Sequence, residues 1–228
     1  RLFDETQRLL KETEERNAEL AVINSVQQAL AAELDMQGIY DAVGDKIREI
    51  FDAQGVFIGT LDHESRLGIF NYFYEMGERF HPEPVPFSGM MEHIAKTGEM
   101  VVINANMIEE TEPYGLHIPA GVAPKSGVWM PIKSGGRTQG IVSLQNLDRE
   151  HAFSASDVRL LTTLANSMSV ALENVRLFEA EQAQARRQAA LFRLSAALAA
   201  AGNEAEICRQ LVAGLQDEDL GYAYVGVF

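Results

Sequence analysis

The sequence predicts an α+β fold: a sheet assembled from antiparallel hairpins, flanked by long N- and C-terminal helices of coiled-coil type. Three observations carry this. Apolar residues recur three or four apart at Ile39, Val43, Ile47, Ile50 and Phe51, and again from Ser154 onward. Between those helical stretches lie two pairs of strand-like runs, each pair joined by a short polar turn. The chain also repeats itself, opening as RLFDETQ at residues 1–7 and reading RLFEAEQ at 176–182.

Residues 4–19 are dense in charge, with Leu9, Leu10, Leu20, Ile23 and Leu30 as a thin apolar stripe. Arg8–Glu12 and Lys11–Glu15 place opposite charges four apart, which supports an exposed helix. Such a solvated helix needs a partner along its stripe. GVFIGTL (55–61) and LGIFNYFY (67–74) read as strands around the turn DHESR. PEPVP (82–86) is too rich in proline for a helix or a central strand. Ser88 can cap a short helix over Met90–Thr97 that ends at Gly98. EMVVIN (99–104) is a strand, and residues 105–126 form a long irregular, lid-like stretch. VWMPIK (128–133), the turn SGGR and TQGIVSLQN (138–146) make a second hairpin.

Ser154 and Asp157 form an acidic capping box for the last long helix, which meets no breaker before Gly202. Leu161, Leu164, Met168, Ala171, Val175, Phe178, Gln182, Ala185, Ala189 and Phe192 alternate three and four apart. That is a heptad seam, read as a parallel homodimer contact with Gln182 setting the register. The repeat continues beyond its opening phrase. Ala29–Ala32 matches Ala197–Ala200, Ile39 falls on Ile207, Val43 on Leu211 and Ile47 on Leu215. The offset drops from 175 to 168, a loss of one heptad, which keeps a helix face pointing the same way. The chain thus reads as one unit followed by the start of another.

The formal charge is −14 over 228 residues. This argues against sequence-independent nucleic-acid binding through phosphate neutralisation and against anionic membranes. No apolar run approaches the ~20 residues of a membrane span. A lone cysteine, Cys208, cannot form an internal disulfide, and a reducing cytoplasm fits that usage. The chain lacks an initiator methionine and its last stretch, Tyr222–Phe228, has strand composition, so the sequence predicts a piece of a longer protein. No Ser/Cys–His–Asp set and no phosphate loop stand out, and no catalysis is expected; Gly135–Gly136 is a hairpin turn.

With this element order, FSGMMEHIAKTGEMVVIN (87–104), SGVWMPIKSGGRTQGIVSLQN (126–146) and FSASDVRLLTTLANSMSVALENVRLFEAEQ (153–182) resemble a GAF domain over roughly residues 20–180. The resemblance implies a GAF/PAS-like module. A central antiparallel sheet is backed by helices on one side, and a short helix and lid close a ligand pocket on the other. It implies a lead-in helix over 1–19, a GAF domain over 20–175, a linker helix over 176–190 and the truncated start of a second GAF domain over 191–228. It also implies a cytoplasmic regulatory module that signals to an output domain. Members hold cyclic nucleotides, haem, bilins or small metabolites, or serve without a ligand as dimerising spacers.

Each ligand class can be set against the residues. Cyclic-nucleotide-binding members carry an Asn-Lys…Phe-x-x-x-Asp-Glu motif. Asn146, Phe153 and Asp157 match it, but Leu147 and Val158 stand where Lys and Glu would, so the Lys–Asp pair cannot form. Covalent bilin attachment needs a pocket thiol, and Cys208 lies outside residues 20–180. The same lack removes the family's methionine-sulfoxide reductase chemistry, which uses several thiols. Haem needs an axial ligand such as His. Of His63, His81, His93, His117 and His151, only His93 and His117 fall near the implied pocket, and haem is disfavoured; no metal spacing stands out either. The remaining expectation is an apolar, aromatic pocket for an unidentified small molecule. Its candidates are Phe70, Tyr72, Tyr74, Met90, Met91, His93, Ile94, Tyr114 and His117. Strand alternation groups Phe70 with Tyr72 and Tyr74, on a face that the sequence does not orient.

Overall fold

The computed structural model describes residues 2–33, 35–115 and 123–216. The lid residue His117 and the strand expected over Tyr222–Phe228 lie outside these, as do the Glu12 and Glu15 side chains of the expected ion pairs. The chain divides into two compact units, residues 1–173 and 174–228.

The first unit opens with α1 (Leu2–Ala32) and α2 (Met36–Ile50). Asp35 caps α2, its carboxylate accepting from the Gly38 backbone N–H at 2.7 Å. The apolar stripe of α2 is buried at Ile39, Tyr40, Val43 and Ile47, as its spacing requires. On α1, Val26 and Leu30 are buried, whereas Leu9, Leu10 and Leu20 are exposed.

Among the described residues the sheet has seven strands: β1 (Gly55–Asp62), β2 (Leu67–Glu75), β3 (Glu78–Arg79), β4 (Val85–Pro86), β5 (Val101–Ile103), β6 (Ser126–Ser134) and β7 (Arg137–Asn146). They run in the order β3-β2-β1-β7-β6-β5, with β4 also pairing β2, and every pairing is antiparallel. The proline-rich stretch contributes only the two-residue edge strand β4, where a missing N–H costs little. Met76 and Gly77, both at positive φ, close the two-residue turn between β2 and β3. The second hairpin turns on Gly135 and Gly136, at φ 59° and 77°.

The 105–126 stretch is less irregular than its prolines suggest. It contains α4 (Met107–Thr111) and a 3-10 turn over Glu112–Tyr114. Buried Met107 drives the departure, because it packs into the cluster under α3 (Gly89–Thr97).

One β-bulge organises the sheet. Along β1 and β2, Ile58 faces Tyr72 and Gly59 faces Phe70, so Asn71 has no opposite number. Its side-chain oxygen accepts from the Thr60 N–H (3.1 Å) and hydroxyl (3.0 Å), and its carbonyl accepts from the Gln37 amide of α2 at 3.0 Å. The extra residue shifts the in-out phase of β2. Tyr72 and Tyr74 face α2. The Tyr72 hydroxyl donates to Asp45 at 2.9 Å, and Arg48 stacks on the Tyr74 ring at 4.2 Å. Arg79 stacks on the other side of Tyr72 at 4.6 Å and pairs with Asp41. At Gly44 an added Cβ would lie 2.4 Å from the Tyr72 ring, so only glycine lets α2 approach this closely. Phe70 points the other way.

α5 (Ala155–Ala200) is one continuous 46-residue helix. Ser154 and Asp157 make the expected reciprocal cap: the Ser154 N–H and hydroxyl donate to the Asp157 carboxylate, and the Asp157 N–H donates back to the hydroxyl. Leu161, Leu164 and Met168 are 0% exposed. The expectation that they form a dimer seam is corrected on that ground, because burial within the chain leaves a second copy nothing to touch. Near its start α5 is bonded to the β6–β7 hairpin: the Ser169 hydroxyl donates to the Lys133 carbonyl, and Ser134 donates to Glu173 at 2.8 Å.

In the second unit α6 (Glu204–Leu215) follows α5, and the repeat shows in its geometry. α1 ends at Ala32 and α5 at Ala200; α2 begins at Met36 and α6 at Glu204. Asn203 caps α6 by accepting from the Glu206 N–H at 2.9 Å, the counterpart of the Asp35 cap. Ala190, Leu194, Leu198 and Leu215 cluster there, and three of them match buried Val26, Leu30 and Ile47 of the first unit.

Burial pushes the Tyr40 and Tyr72 phenols up to about 12, with the Asp45 hydrogen bond adding to the effect at Tyr72. Unfolded tyrosine titrates near ~10, so above that pH the unfolded state loses protons first. Stability should hold below pH ~10 and fall as the pH rises toward ~12. Urea midpoints at pH about 9 and about 11 check this. A flat profile would contradict it.

Candidate functional site

On the side of the sheet away from α2, α3 covers a cluster of Leu61, Met90, Ile94, Val101, Ile103, Met107, Trp129 and Ile141. α3 ends as its sequence dictates, at Gly98 in the left-handed region with φ 65°. Phe57, Phe87, Met91, Ala95 and Tyr114 pack around the cluster and remain partly exposed.

The candidates divide between the two faces. Met90, Met91, Ile94 and Phe70 lie on the α3 side; an added Cβ at Gly68, two residues before Phe70, would meet the Met91 sulfur at 2.5 Å. His93 and Tyr114 come together as an edge-to-face ring pair, centroids 4.8 Å apart. Tyr72 and Tyr74 do not belong to this site. The Asn71 bulge turns them to α2, which corrects their grouping with Phe70.

The register supplies residues that alternation missed. One row across the sheet reads Phe73, Phe57, Ser143, Trp129 and Val101. The Phe57 and Phe73 rings stack, 8° from parallel at 6.1 Å, and Phe70 stands edge-on to both. Phe80 continues the cluster, edge-on to Phe73 at 6.2 Å. The next row reads Glu75, Gly55, Gln145, Gly127 and Ile103. Gln145 thus stands between two residues without side chains, and the Trp129 ring leans over one of them, Gly127. Gln145 donates to the buried Ser143 hydroxyl at 3.4 Å. Phe57, Phe73, Glu75 and Gln145 all remain partly exposed. The available signal was the pair of glycines at a matching register, which no single strand displays.

Charge stays out of the cluster beneath α3. The cluster and the side chains packed on it are all uncharged. On α3 itself, Glu92 receives hydrogen bonds from Arg66 at 2.8 Å and Lys96 at 2.9 Å. Lys96 first and then Arg66 hold its carboxyl below the usual carboxylate range. His63 donates a ring N–H to the Thr138 carbonyl at 2.6 Å and meets Phe87 edge-on. Among the described residues no three His, Cys, Asp or Glu side chains are grouped to hold a metal.

Asn146, Phe153 and Asp157 are committed elsewhere. Asn146 donates to the Asp52 carbonyl at 2.8 Å and accepts from the Asp148 and Arg149 N–H groups at 3.1 and 3.0 Å. Phe153 is buried, its backbone held by Asn104, and Asp157 caps α5. These are turn and cap duties, and they explain the residues without a ligand.

A family model described as GAF domain matches residues 33–173. The fold is also that of several solved structures. A methyl-accepting chemotaxis protein, residues 122 to 287, aligns with TM-score 0.61 and 18% identity, covering 68% of this chain and 99% of that one. The GAF domain of an Acinetobacter phosphoenolpyruvate-protein phosphotransferase aligns at 0.57 and 13%, covering 71% and 96%. A Neisseria meningitidis free methionine-R-sulfoxide reductase, in complex with its substrate, aligns at 0.56 and 20%, covering 70% and 90%. No sequence among the curated proteins matches the chain.

Replacing Asn146 by Ala should cost about 2–3 kcal/mol of stability, from three lost hydrogen bonds at a buried position. Any ligand affinity should stay unchanged. Chemical denaturation with and without ligand measures both. A selective loss of binding in a fully stable variant would return Asn146 to the site.

Proposed function

Since the chain belongs to the GAF domain family, we propose that it is a regulatory, small-molecule-sensing module rather than an enzyme. Its ligand lies on the α3 face, and its signal leaves along α5 to an output domain. One observation carries this reading: the aromatic floor of Phe57 and Phe73, with Gln145 beside it, stays partly open under α3. On the opposite face the corresponding residues Val56, Ile58 and Leu144 are sealed. A ligand that repacks this floor would move β6 and β7. Their hairpin pulls on α5 through the Ser169–Lys133 and Ser134–Glu173 bonds.

A sulfoxide reductase role is disfavoured by chemistry. A thiolate must attack the sulfoxide, and the one cysteine of this chain, Cys208, lies outside the matched residues 33–173. No helix among the described residues is long and apolar enough to cross a membrane. A cytoplasmic setting is the proposal that suits the single thiol. The matched helix ends and caps of α1–α2 and α5–α6 support a tandem arrangement, in which α6 begins a second domain of the same kind.

The second reading is a ligandless spacer, and native mass spectrometry of the full chain separates the two. A reproducible small adduct is expected. Bare protein, with no adduct even after incubation with cell extract metabolites, would favour the spacer.

Both readings place a homodimer seam on α5. Among the residues of that seam, Phe178 and Phe192 are 56% and 76% exposed and lie two heptads apart, with Ala171 and Gln182 on the same stripe, whereas Val175 is buried within the chain like Leu161, Leu164 and Met168. Leu177 and Leu191 repeat the spacing beside them. The combined Phe178→Glu and Phe192→Glu variant should sediment at the mass of a single chain. A doubled mass retained in the variant would overturn the seam.

A further inference from the structure

The geometry points to a ligand class for the α3-face site: a flat heteroaromatic ring carrying N–H donors on its rim. This rests on the sensing reading above and sharpens it. The floor favours a flat, apolar-faced ligand. Phe57 and Phe73 are stacked and half-buried, Phe70 braces both edge-on, and no charged side chain joins the cluster beneath α3. Aromatic faces take ring ligands by offset stacking or edge contact.

The polar groups lie along one side of that floor. Glu75, Gly55 and Gln145 follow one another across β2, β1 and β7, on the same face as the Phe73–Phe57 row. Two strand spacings put Glu75 and Gln145 roughly 10 Å apart. Gly55 gives the Gln145 side chain room to lie across the floor between them: an added Cβ there would meet the Gln145 Cβ at 3.2 Å and its carbonyl oxygen at 3.5 Å. The Gln145 N–H is directed to Ser143, which leaves its carbonyl oxygen as the atom to accept from a ligand. Glu75 is partly buried and can only accept. Glu78 pairs directly across from it in the β2–β3 hairpin, adding a second negative charge at the rim. A ring edge meeting these groups must donate. A carboxylate or phosphate there would be repelled, and a pure hydrocarbon would leave the desolvated acceptors unpaired.

Trp129 is the only tryptophan of the chain and leans over Gly127, beside Gln145, so its emission reports occupancy. Three probes on one bicyclic ring make the test: aminoquinoline, quinoline and quinoline carboxylate, each titrated into the full chain. Aminoquinoline should bind about tenfold or more tighter than quinoline, with the carboxylate weaker still. Glu75→Leu and Gln145→Leu should each erase most of that preference while keeping a wild-type unfolding temperature. Equal binding of all three probes would overturn the donor-edge class while leaving the aromatic site intact. No change in Trp129 emission with any probe at millimolar concentration would overturn both. A preference that survives in both variants would remove Glu75 and Gln145 from the recognition and sink the inference.

Discussion

The unopposed residue Asn71 decides what each side of the sheet becomes. A strand whose side chains simply alternate would send Phe70, Tyr72 and Tyr74 to one face. The bulge inserts one step, and Phe70 changes sides. It persists because its polar groups are satisfied: Thr60 occupies the side-chain oxygen, and Gln37 of α2 takes the carbonyl. α2 therefore contributes to the site without touching it, by holding the irregularity that gives the α3 face its aromatic floor.

The two faces then diverge in character. Under α2, tyrosines are locked by charge and hydrogen bonding. Tyr72 is 1% exposed, with Arg79 on its ring and Asp45 on its hydroxyl. Buried polar networks satisfied in this way specify a single arrangement. Under α3 the contacts are phenylalanine, methionine and tryptophan, which carry no directional bonds and can repack. Methionine in particular fills irregular space at modest cost. A rigid face beside an adaptable one suits a module whose helices must respond to what its sheet holds.

The helices extend this division. Near its beginning α5 is part of the domain core, and there its apolar stripe is spent at Leu161, Leu164 and Met168. Farther along, the same periodicity leaves Phe178 and Phe192 to solvent. A heptad pattern read from sequence cannot separate these uses, since burial against one's own sheet and burial against a second helix select the same spacing. The repeat is similar. In the first unit Ile39 is 1% exposed, whereas its counterpart Ile207 is 39% exposed in the second.

Much of this molecule was legible in its sequence because it depends on local chemistry. Ser154 and Asp157 had to cap a helix, Gly98 had to end one, and Gly135–Gly136 had to turn a hairpin, because each solves a backbone problem within a few residues. The helix and strand periods likewise follow from which side chains avoid water. The internal repeat was visible as text before it was visible as matched caps. What required the tertiary structure was everything set by pairing between distant segments. The Asn71 bulge exists only relative to β1. Gln145 can lie across Gly55, and Trp129 over Gly127, only because those two glycines fall at its register from two other strands. Met107 folds a proline-rich stretch into α4 because a cluster under α3 lies within reach. Local propensity fixes which elements form, whereas register and burial fix which face each side chain serves. The site is built from the second kind of information.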